Sequence, residues 1–320
     1  MTLGSFLHYG SIGSTVALSA LGISLGLSYI AQGAIEALYE QPTAQKEISK
    51  ISILAMALTE TGGVIGLTVA LMMFITTQKL DNTLLYPGIA RFGIFFTTGL
   101  VSLFVGAVSA LPARQACLAV ARQPFFGTKI MNLLLITMSI VQTPIIFGFL
   151  AAVMINVQAN TVTSLGQALA ILSAGACLGI GSLGPAYGQS IYAAQACKTL
   201  GNNRDAYRGI LTFSLISQAM IESPIIFSLL ITLVILGTTS SVMTPLQALA
   251  ATVAGLCVGF NNIAPGISSG RTAAEASKQI TYNLSSYTVI TRTSLIAQGL
   301  IDTFAIYGLL IGLLLLFLGK

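Results

Sequence analysis

AMIESPIIFSLLITLVIL, residues Ala219 to Leu236, carries a single charge, Glu222, in an otherwise almost wholly apolar run. A carboxylate at the middle of a bilayer costs about 3 kcal/mol on insertion scales unless it takes a proton or a cation, so its retention there marks a functional position. The same arrangement surrounds Asp302 in the run Ser294 to Leu318, and Glu60 in an earlier one. An amide, Gln142, stands at the matching place in the remaining run. Glu60, Gln142, Glu222 and Asp302 are separated by 82, 80 and 80 residues.

That period organises the whole chain. Apolar runs of about 20 residues are long enough to cross a bilayer as helices. Eight are present, near 12–37, 51–76, 93–118, 130–156, 167–196, 210–236, 247–273 and 289–318. Composition agrees: 55% of residues are hydrophobic and 7% charged, with mean hydropathy +0.88, outside the range of soluble globular domains. Internal identity ties the runs into pairs. PIIF occurs at 144–147 and 224–227, and QALA at 167–170 and 247–250. The expected fold is an all-α membrane protein of eight transmembrane helices in four tandem hairpins, 1–79, 80–158, 159–238 and 239–320, all in the same orientation. The first 35 residues lack the basic start of a cleaved leader and read as a retained span.

The two helices of a hairpin differ in kind. The first is rich in small residues, such as Gly175, Gly179, Gly181, Gly184 and Gly188, which let helix backbones approach closely in lipid. The second carries the buried polar residue. Two concentric layers follow, a tight inner wall and a wider outer one. Eleven basic residues lie in or beside the within-hairpin loops, against Lys79, Arg91 and Lys320 on the other side. The positive-inside rule then puts the loops in the cytoplasm and both termini outside. The net charge of +5 is explained by topology and calls for no nucleic acid.

With the buried register, the glycine-rich first helix and the loop residues Arg122, Gln123 and Pro124 in view, the chain resembles the c subunit, or proteolipid, of rotary ATPases of the F and V types, in four copies. Gln41 and Pro42 match the same loop pattern less fully, and no such motif is recognisable in the third and fourth hairpins. The resemblance implies a ring of identical chains in a cytoplasmic membrane of bacterial or archaeal type. It also implies a separate stator membrane subunit and a central stalk that contacts the loops. Glu60, Glu222 and Asp302 would carry H+ or Na+, with hydroxyl ligands from Thr61, Ser223 and Thr303. Gln189, 33 residues before Glu222, together with Glu222 and Ser223 resembles the sodium-binding variant of the family; a carboxylate with amide and hydroxyl oxygens suits a hard cation. The equivalent positions elsewhere are Leu27, Ser109 and Ser269, so the ion stays open between H+ and Na+. Gln142 is a degenerate position, because an amide neither takes nor releases a proton near neutral pH.

Other readings compete. A secondary transporter would show larger, commonly inverted repeats with broken helices, whereas two-span repeats all point one way. A purely structural proteolipid leaves three buried acids unexplained. The sequence holds no phosphate-binding loop and no partnered nucleophile, so catalysis and cofactors are not expected of this chain. Cys117, Cys177, Cys197 and Cys257 echo the 80-residue spacing and read as small packing residues. Tyr307 is a candidate donor to Asp302, Pro144 and Pro224 are candidate bends, and His8 is assigned no chemistry.

Overall fold

The computed structural model describes residues 3–77, 85–239 and 243–318. Eight helices long and apolar enough to cross a membrane account for nearly all of them: α1 Leu3–Glu40, α2 Pro42–Thr76, α3 Leu85–Arg122, α4 Pro124–Thr161, α5 Leu165–Asn202, α6 Arg204–Thr238, α7 Pro245–Tyr282 and α8 Leu284–Phe317. Each spans 34 to 38 residues, which at 1.5 Å per residue exceeds the ~30 Å hydrocarbon core. The helices are therefore longer than the hydrocarbon core is thick. No strand occurs among the described residues. Lys79 and Lys320, two of the three basic residues expected on the terminal side, lie outside the described residues.

The helices pack in two rows. In one row α1, α3, α5 and α7 stand side by side, and glycine sets their spacing. A Cβ on Gly22 would strike the Leu103 carbonyl, one on Gly175 the Gly93 carbonyl, and one on Gly184 or Gly188 the carbonyls of Ile263 or Gly266. The other row is α2, α4, α6 and α8, joined by polar side chains. Asn156 donates to Thr76 (3.2 Å), Gln218 to the Thr137 carbonyl (3.3 Å), and Gln298 to Ser217 (3.3 Å). These partners are 80 or 81 residues apart, one repeat length. Copies of one unit thus lie in register beside each other, as same-facing hairpins must.

Irregularities sit where proline withholds an N–H from the helix. α3 breaks at Ser109 ahead of Pro112, α5 at Ser182 ahead of Pro185, and α7 at Asn262 ahead of Pro265. In α4 the break falls on Gln142, two residues before Pro144, while α6 stays helical through Pro224. α3 also contains a π-helical segment, Phe95–Leu100, which no feature of the sequence announced. All four loops close with the same 3-10 turn: Pro42–Ala44, Pro124–Phe126, Arg204–Ala206 and Leu284–Ser286. The loop pattern, recognisable by sequence in the first two hairpins alone, is therefore shared by all four. An amide precedes every turn, Gln41, Gln123, Asn203 and Asn283, and the exchange of Gln for Asn hid it.

Candidate functional site

The helix geometry puts the four register residues at one depth. Each lies 18 residues past the first residue of its helix: Pro42 to Glu60, Pro124 to Gln142, Arg204 to Glu222, Leu284 to Asp302. At 1.5 Å per residue this is about 27 Å from the loop end. All four belong to the row of α2, α4, α6 and α8.

Asp302 is buried, with 8% of its surface exposed, and both of its oxygens accept hydrogen bonds. Ser269 of α7 donates to Oδ1 at 3.2 Å, and Ser223 of α6 donates to Oδ2 at 3.0 Å. One donor thus comes from the same hairpin and one from the hairpin before. Glu222 follows part of the scheme one hairpin back, with a hydroxyl from the preceding hairpin only. It is half-buried and meets the hydroxyl of Thr143 on α4. Gln189 on α5 is wholly buried with neither amide atom partnered.

This geometry divides the trio read from the sequence. Ser223 serves Asp302, not its neighbour Glu222, and Thr143 takes its place at Glu222. The reason is helical: residues i and i+1 point about 100° apart on a helix of 3.6 residues per turn, so adjacent side chains face different neighbours. Ser269, expected only as the position equivalent to Gln189, touches the carboxyl directly.

The remaining two positions differ. Gln142 is buried, and both its amide atoms lack partners. Ser109 on α3, its counterpart to Ser269, lies 3.3 Å from Thr59 Oγ1 of α2. Glu60 is exposed and makes no hydrogen bond among the described residues. Thr61 and Thr303 are also exposed or half-buried, and donate to the carbonyls of Leu58 (2.8 Å) and Leu300 (2.6 Å). Glu60 and Thr303 stand at opposite ends of the row, α2 and α8. Tyr307 packs against Phe304 with ring centroids 5.9 Å apart and is not a partner of Asp302.

The loops form a second polar tier. Gln123 Nε2 donates to the Gly201 carbonyl (3.3 Å), Asn203 Nδ2 to the Thr281 carbonyl (3.3 Å), and Arg122 Nη1 to Asn202 Oδ1 (3.1 Å). Each of these loop side chains reaches the end of the next hairpin's first helix. At the terminal end, His8 acquires a partner that its sequence neighbours do not suggest: its Nδ1 lies 3.4 Å from Arg91 Nη1, and Arg91 Nη2 donates to Asn160 at 2.5 Å. Among the described residues no cluster of His, Cys, Asp and Glu could hold a metal ion, and the four cysteines are free thiols.

The repeated hairpin with a mid-helix acid has a counterpart among known proteins. The profile of the ATP synthase C subunit matches residues 11–73, 172–235 and 252–315, together more than half of the chain. The chain belongs to the ATP synthase C subunit family. Its members are non-catalytic membrane subunits, and the eight apolar helices make this one an integral, multi-pass membrane protein. The unmatched interval contains α3 and α4, the hairpin with the π-helical segment and Gln142 in place of an acid. No curated protein matches the chain.

Proposed function

We propose that this chain is the rotor subunit of a membrane rotary ATPase, carrying H+ or Na+ on Glu60, Glu222 and Asp302 between two half-channels of a stator protein. One observation supports the reading above all: acids at one depth on one row, two of them facing a hydroxyl of the preceding hairpin 79 residues away. That arrangement is periodic, and it continues from one copy to the next when copies stand side by side. In a closed ring α8 of one copy meets α2 of the next. Thr303 then supplies for Glu60 the hydroxyl that Ser223 supplies for Asp302, and the exposed edge acid gains the setting its counterparts have. The row of α1, α3, α5 and α7 becomes the inner wall, leaving the acids on the side the stator can reach.

The remaining roles follow from placement. The cytoplasmic loops, with Gln41, Pro42, Arg122, Gln123 and Pro124, meet the central stalk, and ATP chemistry belongs to a soluble head. Asp302 is closed by two hydroxyls. Glu222 faces a hydroxyl, and the unpartnered amide of Gln189 stands at the position in α5 that Ser269 holds in α7; its oxygen is a suitable further ligand for sodium. A stand-alone transporter is disfavoured because every hairpin repeats in the same orientation.

A hydrophobic carbodiimide, which forms a stable adduct with a protonated carboxyl in an apolar site, tests the reading in the purified assembly. Adducts are expected on Glu222, Asp302 and Glu60, with none on Gln142. Protection of Glu222 by sodium identifies a sodium site, and indifference to sodium between neutral and mildly acidic pH identifies protons. An assembled protein in which none of the three acids reacts at any pH would reject ion carriage.

A further inference from the structure

The row of α1, α3, α5 and α7 carries a hollow that ion carriage leaves without a role. Its volume is about 340 Å³, and every residue lining it belongs to those four helices, so it opens on the face turned away from the acids. Leu111 and Ile191 form its apolar lining, and Tyr187, Gln115, Gln195 and Lys198 its polar lining. A smaller hollow continues it past Gln195 and Lys198 to Lys278 at the loop end.

Helix geometry fixes the depth of this hollow. Tyr187 lies 17 residues before the first residue of α6, Arg204, and Glu222 lies 18 residues after it, so the two stand at nearly one level. Lys198 is 11 residues nearer the loop than Tyr187, about 16 Å along the helix, which is close to half the thickness of the hydrocarbon core. The hollow thus runs from the level of the acids toward the lipid headgroups on the loop side. There the four hairpins place Glu36, Leu118, Lys198 and Lys278, each six residues before its loop turn. Glu36 is paired with Arg114 at 2.8 Å, and Lys278 with Glu275 at 3.4 Å. Lys198 is exposed and joins none of the ion pairs among the described residues. One uncompensated cation per chain therefore stands at the end of a partly apolar slot.

We infer that this slot holds one anionic phospholipid per chain, with its phosphate on the Lys198 ammonium and the amides of Gln115 and Gln195, and an acyl chain along Leu111 and Ile191. The depth and lining of the slot favour a lipid over other anions. A free phosphate would leave the apolar part empty. An acidic protein segment would have to carry its backbone into the hydrocarbon, where unpaired N–H and C=O groups are costly. Anionic lipid is also concentrated in the cytoplasmic leaflet and attracts basic residues there, the side to which the positive-inside rule assigns the loops. The opposite end of the same row agrees. A hollow of about 360 Å³ between α5 and α7 is lined there by Leu165, Leu169 and Leu249 and by no charged residue, so it gives a lipid no charge to meet.

The inference rests on the rotor reading, which makes this row the inner wall, and the test separates the two. The full-length assembly is equilibrated in mixed micelles of equal phosphatidylglycerol and phosphatidylcholine, imaged end-on, and its retained lipids are counted by native mass spectrometry. An open or isolated bundle would reject the rotor, whereas a closed ring whose lipid content is indifferent to Lys198 would reject the inference alone. The expected count is one phosphatidylglycerol per chain, retained in preference to phosphatidylcholine. Lys198→Gln should lower that retention roughly fivefold, and Lys198→Arg should keep it. Arg208→Gln, at the loop end of the other row, should leave it unchanged. Gln195→Leu should also lower it, and carries the test if Lys198→Gln fails to assemble. Equal retention of the two lipids, an equal loss in Arg208→Gln, or release of phosphatidylglycerol by inorganic phosphate would overturn the inference.

Discussion

The second and fourth hairpins place a polar side chain at the same point of the same helix and treat it in opposite ways. Asp302 is buried with a serine hydroxyl on each oxygen. Gln142 is buried with nothing on either amide atom, on a helix interrupted at that very residue. The buried acid has its hydrogen bonds supplied from two hairpins. The buried amide has none, and Ser109, which stands in α3 where Ser269 stands in α7, lies beside Thr59 of α2. The difference at Gln142 therefore extends beyond one side chain to the surrounding contacts.

The contrast can be broken outright. Replacing all three acids together, Glu60→Gln, Glu222→Gln and Asp302→Asn, should make every hairpin resemble the second and abolish ion transport while the protein still assembles. Residual ion movement coupled to ATP, measured in vesicles, would show that carriage does not depend on these residues.

A smaller effect is expected from the reverse change. If each hairpin takes its turn at the stator, four hairpins carry three ions, and Gln142→Glu makes it four. Ions moved per ATP should rise toward four-thirds of the original value. Each charge crossing is worth about 2.3 kcal/mol per 100 mV, so on that condition three ions per chain would favour pumping against a steep gradient over synthesis from a shallow one. A variant that takes up carbodiimide at the new carboxyl yet keeps the original ratio would show that the number of acids does not set it.

Stability sharpens the comparison further. Gln142→Leu removes two unpaired polar atoms from an apolar interior, where each costs about 1–3 kcal/mol, and should raise the thermal midpoint of the assembly. Lower stability would mean that the amide has a partner in the membrane. The smallest expected effect is at Ser269. Ser269→Ala removes one of two donors to Asp302 and should change the rate of carbodiimide uptake at Asp302 by a small factor, with Glu222 unaffected.

Much of this was legible in the sequence, for identifiable reasons. An acid in an apolar run is conspicuous because the bilayer penalises it, so the register, the eight spans and the four hairpins could be read directly. Contacts between hairpins could not. Ser223 follows Glu222 in the chain but serves Asp302, a consequence of the turn between successive helical residues that no linear spacing displays. The loop amides were obscured by the exchange of Gln for Asn at Asn203 and Asn283, although both side chains present the same donor. The cluster of His8, Arg91 and Asn160 joins helices far apart in sequence, and the residues of the π-helical segment of α3 carry no pattern that marks it.

The claim that the chain is one segment of a rotor is tested most directly by imaging the purified assembly along the membrane normal. A rotor assignment requires a closed ring with a hairpin number divisible by four, the glycine-rich helices inside and Glu60, Glu222 and Asp302 on the outer row. An isolated four-hairpin bundle, an open arc, or a ring with its acids on the inner wall would contradict it.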